Sequence, residues 1–308
     1  MRTTKIAVIG ATGLVGETIL KVLQERQINA EYFLFAGERH AGEKVLINCE
    51  EFIIEALTDS RVQEIKADFA LFAAGAEVSK DWAPKFNAVG TTVIDNSSYF
   101  RMQKNVPLVV PEVNLHSIGK SKLIANPNCS TIGAVVALAP LDRVYKIKRI
   151  VYSTYQAVSG AGRSPKFKHP IVNNVLPDID VLLPDGNTKE EAKMINETRK
   201  ILGRDNIAIS ATAARVPVAN SHCVSINVEF YRRPDLEEVK AILAKAPGIV
   251  YCESYAVPTE VSGHDEVYVG RVRLDASHKN TINLWTVSDN LRKGAATNAV
   301  QIMESLLG

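Results

Sequence analysis

Residues 5–16 read Lys-Ile-Ala-Val-Ile-Gly-Ala-Thr-Gly-Leu-Val-Gly, and this stretch decides the fold. Lys5 to Ile9 is short, apolar and β-branched, as a strand covered on both faces requires. From Leu14 to Leu23 the residues Leu14, Val15, Ile19, Val22 and Leu23 recur at helical spacing. Gly10, Gly13 and Gly16 lie at the junction. A strand, a glycine turn and a helix in that order offer free backbone N–H groups and partial positive charge to a phosphate. Thr12 replaces the middle glycine of the usual dinucleotide fingerprint, giving a GxxGxxG spacing. A tight turn packed closely on a helix would use the same glycines.

Working outward, Tyr32 to Ala36, Asp68 to Ala74 and Thr91 to Ile94 are further short apolar runs. A helix is expected around Ser79 to Val89. This βαβ rhythm predicts an α/β chain whose N-terminal part is a Rossmann-type, doubly wound parallel sheet. The pattern changes after about Asn126. Ser130 to Leu138 reads as a buried helix of small apolar residues. Longer, partly alternating strands follow at 147–158, 207–214, 223–230, 266–274 and 281–287, with helices near 189–202, 235–244 and 293–306. They predict a second, α+β domain with a mixed or antiparallel sheet.

Composition narrows the function classes. The 308 residues are 46% hydrophobic and 23% charged, enough apolar content for a real core. Lys and Arg number 36 against 34 Asp and Glu, so no strong field exists for nucleic acid or an anionic membrane surface. The longest apolar run, near 132–141, is too short for a bilayer and contains Pro140. The N-terminus leads straight into a strand, with no signal peptide expected. Cys49, Cys129, Cys223 and Cys252 form no CxxC pair, against a metal site or a disulfide scaffold. A cytoplasmic protein with free thiols and no metal is expected.

The end of the second strand reads Ala36-Gly37-Glu38-Arg39-His40. An acid there grips a ribose hydroxyl and favours NAD; an Arg pairs with a 2′-phosphate and favours NADP. Both are present, and the guanidinium favours NADP.

Cys129, in Asn126-Pro-Asn-Cys-Ser-Thr131, falls at the start of the buried helix. A helix N-terminus stabilises a thiolate and could stabilise an oxyanion. A buried structural role is the commoner fate of a cysteine, and the other three are read that way. Among six histidines, His222 alone sits in a suggestive string, Ala214-Arg-Val-Pro-Val-Ala-Asn-Ser-His222. Arg215 closes one strand, Pro217 stops pairing and His222 opens the next. Thr188 to Glu191 is a capping box, so first-turn acids there have a structural explanation. Lys193 three residues after Glu190 is also an ordinary helix pair. Gln156 falls in an alternating strand and could face solvent. The basic stretch Arg163, Lys166, Lys168 and His169 reads as a solvated loop.

Eight segments together resemble the aspartate-semialdehyde dehydrogenase family. They are GATGLVG (10–16), DNSSYFR (95–101), VPLVVPEVN (106–114), NPNCSTI (126–132), STYQAVSGAG (153–162), EEAKMINETRKIL (190–202), RVPVANSH (215–222) and SDNLRKGAATNAVQI (288–302). The resemblance implies NADPH-dependent reduction of L-aspartyl 4-phosphate to aspartate semialdehyde, in lysine, threonine, methionine and diaminopimelate biosynthesis. It implies Cys129 as nucleophile, His222 as acid/base and Gln156 as a substrate-orienting residue. Arg215 would clamp the α-carboxylate and Glu190 the ammonium. Arg101 and Lys193 would hold phosphate, with Asn128 also at the substrate. The dinucleotide would meet Gly10, Thr12, Gly13, Leu14, Val15, Gly16, Arg39, His40, Gly75, Ser159, Gly160 and Asn290. Domains are expected at 1–127 with 290–308, for NADP, and at 128–289, for catalysis and dimerisation as a homodimer. Longer relatives insert a helical segment after Gly162, which this chain lacks. Two rival readings are a reductase of another acyl phosphate, such as the acetylglutamyl compound, and a noncatalytic nucleotide-binding paralogue. Glu190 discriminates the first rival, since an acetylated amine has no charge to pair.

Overall fold

A computed structural model describes residues 3–47 and 50–307. Cys49, read as structural, lies outside the described residues. In chain order the elements are β1 (Thr4–Ile9), α1 (Leu14–Glu25), β2 (Ala30–Ala36), β3 (Lys44–Ile47), β4 (Glu50–Ala56), α2 (Asp59–Ile65), β5 (Phe69–Phe72), α3 (Ala76–Ala88), β6 (Thr92–Asp95), α4 (Pro111–Asn114) and β7 (Leu123–Ala125). They continue as α5 (Cys129–Tyr145), β8 (Ile147–Gln156), α6 (Lys189–Leu202), β9 (Ala208–Arg215), β10 (His222–Phe230), α7 (Leu236–Lys245), β11 (Ile249–Tyr251), α8 (Pro258–Val261), β12 (Val267–Leu274), β13 (Thr281–Ser288) and α9 (Thr297–Glu304).

The chain divides into two compact units. The first holds residues 1–111, 115–127 and 295–308; the second holds 112–114 and 128–294. In the first, seven strands run in the order β3-β4-β2-β1-β5-β6-β7. All pairings are parallel except β3 with β4. The chain leaves β1 for β2 on one side and returns to β5 on the other. The carboxyl end of β1, where the glycine turn sits, is therefore the switch point of a doubly wound sheet. Ile6 and Val8 of β1, Ile19 and Leu23 of α1, and Val300 and Met303 of α9 share one buried cluster. The β3–β4 pair and α2 were not legible in the sequence.

The second unit has a six-stranded sheet, β11-β12-β13-β10-β8-β9. It is mixed: β11–β12 and β8–β9 are parallel and the rest antiparallel. Helix α5 runs past Pro140 to Tyr145, longer than the run to Leu138 that the sequence suggests. Proline removes one N–H bond, and the almost wholly buried helix outweighs that loss. The last helix opens as a π-helical turn over Arg292–Ala296, which periodicity does not reveal. Among the described residues, no helix is long and apolar enough to cross a membrane.

Candidate active site

Strand directions gather the chemistry-bearing residues. β8 and β9 run parallel and end side by side at Gln156 and Arg215. β10 runs the other way, so it begins at that end with His222, paired opposite Ser288 at the end of β13. α5 starts close by. A Cβ on Gly133 would stand 2.6 Å from Ser288 Oγ, and one on Gly294 2.8 Å from Cys129 Cβ.

Cys129 is the first residue of α5 and is partly exposed. Asn128 is the N-cap, and its Oδ1 accepts from the N–H groups of Ser130 and Thr131. Two amides that the sequence offered to an oxyanion are therefore taken by the cap. The Asn128 Nδ2 donates to Glu190 Oε1 at 2.8 Å, and its backbone N–H donates to Glu197 Oε2 at 2.6 Å. Asn128, expected at the substrate, fixes the start of α5 with its side chain and backbone N–H. The helix periodicity held the signal for Glu197, which lies two turns after Glu190 on the same buried face of α6.

Glu190 has the same dense setting. Its Oε1 also accepts from Gln156 Nε2 at 3.1 Å, and its Oε2 from Lys193 Nζ at 3.0 Å. Burial alone would raise its carboxyl. The Lys193 charge and the hydrogen bonds from Lys193, Asn128 and Gln156 outweigh that and hold it below the usual carboxylate range. The capping-box acid is Glu191, so Glu190 is free of that structural duty. Gln156 is buried and does not face solvent.

Arg215 is 5% exposed. Its Nη1 donates to the Ala157 carbonyl at 2.8 Å and reaches Gln156 Oε1 at 3.4 Å. Burial lowers its pKa, while the charges of Cys129 and Glu190 pull the other way. It keeps its charge all the same, since a guanidinium does not deprotonate in proteins. Among the described residues no carboxylate is in ion-pair contact with it. Arg215 helps line a cavity of about 320 Å³ with Lys166, Phe167, Asp178 and Asp180. Lys166 and Lys168, read as a solvated loop, thus border this cavity.

His222 is fully buried, and its Nδ1 accepts the Ala157 N–H at 3.0 Å. Nδ1 therefore carries no proton, and the neutral ring bears it on Nε2. Among the described residues Nε2 has no hydrogen-bond partner. Burial and then the Arg215 charge push the imidazole pKa down to about 3, against a smaller pull from Glu190. Gly160 covers both groups. A Cβ there would lie 2.8 Å from Arg215 Nη1 and 2.9 Å from His222 Nε2.

In the first unit, Gly10 has φ +87°, and a Cβ on it would stand 2.7 Å from the Ala73 carbonyl oxygen. A Cβ on Gly16 would stand 2.1 Å from the Gly10 oxygen. Gly13 caps α1 with no side chain, so Leu14, Val15 and Gly16 open the helix after Thr12 with their N–H ends uncovered by a capping group. Gly75 opens α3 in the same way. Exposed Arg39 donates from Nε to His40 Nε2 at 3.0 Å, and His40 Nδ1 meets Glu43 at 2.8 Å. Arg101 is buried and donates to the carbonyls of Asn126 and Asn96. A larger groove, about 620 Å³, opens beside Lys66, Asp68 and Lys122, at the end of this sheet away from the glycine turn. Ligands of doubly wound sheets bind at the other end. In the second unit, Asn290 Oδ1 accepts from the Ser221 N–H, and its amide exchanges hydrogen bonds with Ser159.

A glycine-turn doubly wound unit, followed by a unit that sets a helix-start cysteine beside a buried arginine and imidazole, defines a dehydrogenase of the semialdehyde class. Comparison agrees with this. Residues 5–121 match a family model described as semialdehyde dehydrogenase, NAD binding domain, and residues 138–293 one described as semialdehyde dehydrogenase, dimerisation domain. An aspartate-semialdehyde dehydrogenase of Aquifex aeolicus is 46% identical over 98% of both chains. A crystal structure of aspartate semialdehyde dehydrogenase II from Vibrio cholerae superposes with a TM-score of 0.94, at 41% identity over 99% of both chains. That Vibrio enzyme has also been solved complexed with ASA, at 40% identity, TM-score 0.94, over 100% of this chain and 99% of that one. A Candida albicans enzyme solved with NADP gives 0.82 at 26% identity, over 99% of this chain and 98% of that one. The chain belongs to the aspartate-semialdehyde dehydrogenase family and is an oxidoreductase of that family.

Proposed function

We propose that the chain reduces L-aspartyl 4-phosphate to L-aspartate 4-semialdehyde with release of phosphate, using NADPH and a thioester on Cys129. The observation that carries this reading is Arg215, a buried guanidinium with no carboxylate partner among the described residues, on a cavity wall and within electrostatic reach of Cys129. A buried charge lacking a counter-ion is costly, and a ligand carboxylate supplies one in bidentate geometry. Glu190, held ionised, suits the substrate's ammonium group, and Lys193 with Arg101 suits the phosphate.

The helix N-terminus and Arg215 favour the Cys129 thiolate over the thiol. His222 is not its base, because Nε2 already carries a proton. The sulfur attacks the acyl carbon, the C–O bond to phosphate breaks, and a thioester forms. Gln156, which bridges Glu190 and Arg215, orients the acyl group. A nicotinamide held at Ser159, Gly160 and Asn290 would supply the hydride for this thioester. The neutral His222 Nε2–H hydrogen-bonds the developing oxyanion without giving up its proton, and that oxyanion collapses to the aldehyde as the C–S bond breaks and Cys129 leaves as thiolate.

The glycine turn fits a dinucleotide: backbone packed where Cβ atoms of residues 10 and 16 would stand makes the turn tight, and the start of α1, with no side-chain cap at Gly13, presents its N–H ends to a phosphate. Gly10, Thr12, Gly13, Leu14, Val15, Gly16 and Gly75 would hold its phosphates. Arg39, steadied by His40, would hold the 2′-phosphate, and Ser159, Gly160 and Asn290 the nicotinamide end. We read the protein as a cytoplasmic homodimer of amino-acid biosynthesis, feeding the lysine, threonine, methionine and diaminopimelate routes. The free thiols of Cys129, Cys223 and Cys252 fit a reducing compartment. The test is NADP reduction by purified protein given aspartate semialdehyde, with and without phosphate. Strict phosphate dependence is expected; a preference for N-acetylglutamyl semialdehyde would reassign the substrate.

A further inference from the structure

Lys193 has two acids for one ammonium. Its Nζ lies 3.0 Å from Glu190 Oε2 and 2.9 Å from Asp180 Oδ2. Glu190 is buried and is fixed by Asn128 and Gln156 as well. Asp180 differs: its side chain is 30% exposed, and it belongs to the loop before α6 and to the wall of the Arg215 cavity. The loop is nevertheless built. Leu176 exchanges backbone hydrogen bonds with Arg215, and Lys189 N–H bonds the Val181 carbonyl. Asp180 itself has φ +70°, a left-handed conformation that Asp tolerates better than most residues. Its Oδ1 accepts from the Val181 N–H at 2.9 Å, which leaves Oδ2 aimed at Lys193.

We propose that Asp180 is a resident counter-ion that occupies Lys193 in the place of the substrate's phosphoryl group and returns to it as phosphate leaves. This rests on the reading of Lys193 as a phosphate-holding residue. A phosphate dianion beside Lys193 would meet both carboxylates at close range. Glu190 cannot yield without breaking its bonds to Asn128 and Gln156, whereas Asp180 has solvent to move into. Tethered beside the ammonium at high effective concentration, the Asp180 carboxylate competes with free phosphate. The tightness lost on binding is the release gained in the reductive direction, where phosphate is a product. Like-charge repulsion and ion-pair competition thus act together against retained phosphate.

The test uses the full chain with Asp180→Asn and Asp180→Gly, both compatible with a left-handed residue. Binding of inorganic phosphate is measured by titration, and product inhibition by phosphate is measured in the reductive direction. Both variants should bind phosphate about five- to tenfold more tightly, with inhibition strengthened to match. A purely structural role predicts weaker or unchanged binding, and that outcome in both variants overturns the proposal. Lys193→Met separates the two layers. If it leaves phosphate binding intact, the reading of Lys193 fails and the counter-ion role with it. If it abolishes phosphate binding while the Asp180 variants stay neutral, only the counter-ion role fails.

Discussion

The backbone N–H of Ala157 donates to Nδ1 of His222 at 3.0 Å. The carbonyl of the same residue accepts from Arg215 at 2.8 Å. One residue therefore fixes both the tautomer of the imidazole and the aim of the guanidinium. Because the amide must donate, the ring cannot hold a proton on both nitrogens without breaking that bond.

This has a consequence for acid stability. The His222 pKa is near 3 in the folded chain and about 6.5 when unfolded. Between those values the unfolded chain binds the extra proton, so stability falls as pH drops through that window and is intact above it. From pH 7 to pH 4 the loss assigned to His222 is on the order of 3 kcal/mol. Urea unfolding at both pH values should show a smaller pH 4 penalty in His222→Asn than in the parent chain. Equal penalties would mean that His222 is not held neutral.

Gly160→Ala should damage the site and spare the fold. The new methyl would lie 2.8 Å from Arg215 Nη1 and 2.9 Å from His222 Nε2, both already tied to Ala157. A displacement of that kind costs about a hundredfold in kcat/KM. The glycine is not left-handed, so the backbone admits alanine, and the melting temperature should move by no more than about 3 °C. Steady-state rates and thermal unfolding check the two halves.

Arg215 should separate activity from stability. Arg215→Lys is expected to raise the KM for the amino-acid substrate roughly tenfold to a hundredfold, because an ammonium cannot reproduce the fork. Arg215→Met should abolish turnover without lowering the melting temperature, since it removes a buried charge with no ion-paired carboxylate among the described residues. A large loss of stability in the methionine variant would make the residue structural.

Cofactor choice is testable at the end of β2. Arg39 is exposed and steadied by His40, with Glu38 beside it. Arg39→Ala should weaken NADP by about tenfold and NAD by far less. Parallel losses would give the choice to Glu38.

Much of the architecture was legible because it is local. The strand, glycine turn and helix at 5–25 announce themselves through periodicity and through positions that exclude a Cβ. Arg215 closing one strand and His222 opening the next could be read from Pro217 between them. Asn128 could have been read as a cap, since Asn before a Ser/Thr-rich helix start is a favoured N-cap. What stayed hidden depends on distant pairing. The bidentate contact of buried Lys293 with Glu112, at 2.7 Å, joins residues with no sequence relationship. Asp180 became visible only once its loop was placed against Lys193. The β3–β4 pair is short, and its apolar residues, Val45 to Ile47 and Phe52 to Ile54, run consecutively, so no apolar alternation marks it.

The most direct test of the account is to trap the acyl group. The protein is incubated with aspartate semialdehyde and NADP in the absence of phosphate, acid-quenched, digested and examined by mass spectrometry. The account predicts an aspartyl thioester on the peptide containing Cys129, discharged by added phosphate and missing in Cys129→Ala, which has no turnover. A Cys129→Ala chain that still turns over, with no acyl group found on the parent protein, would contradict it.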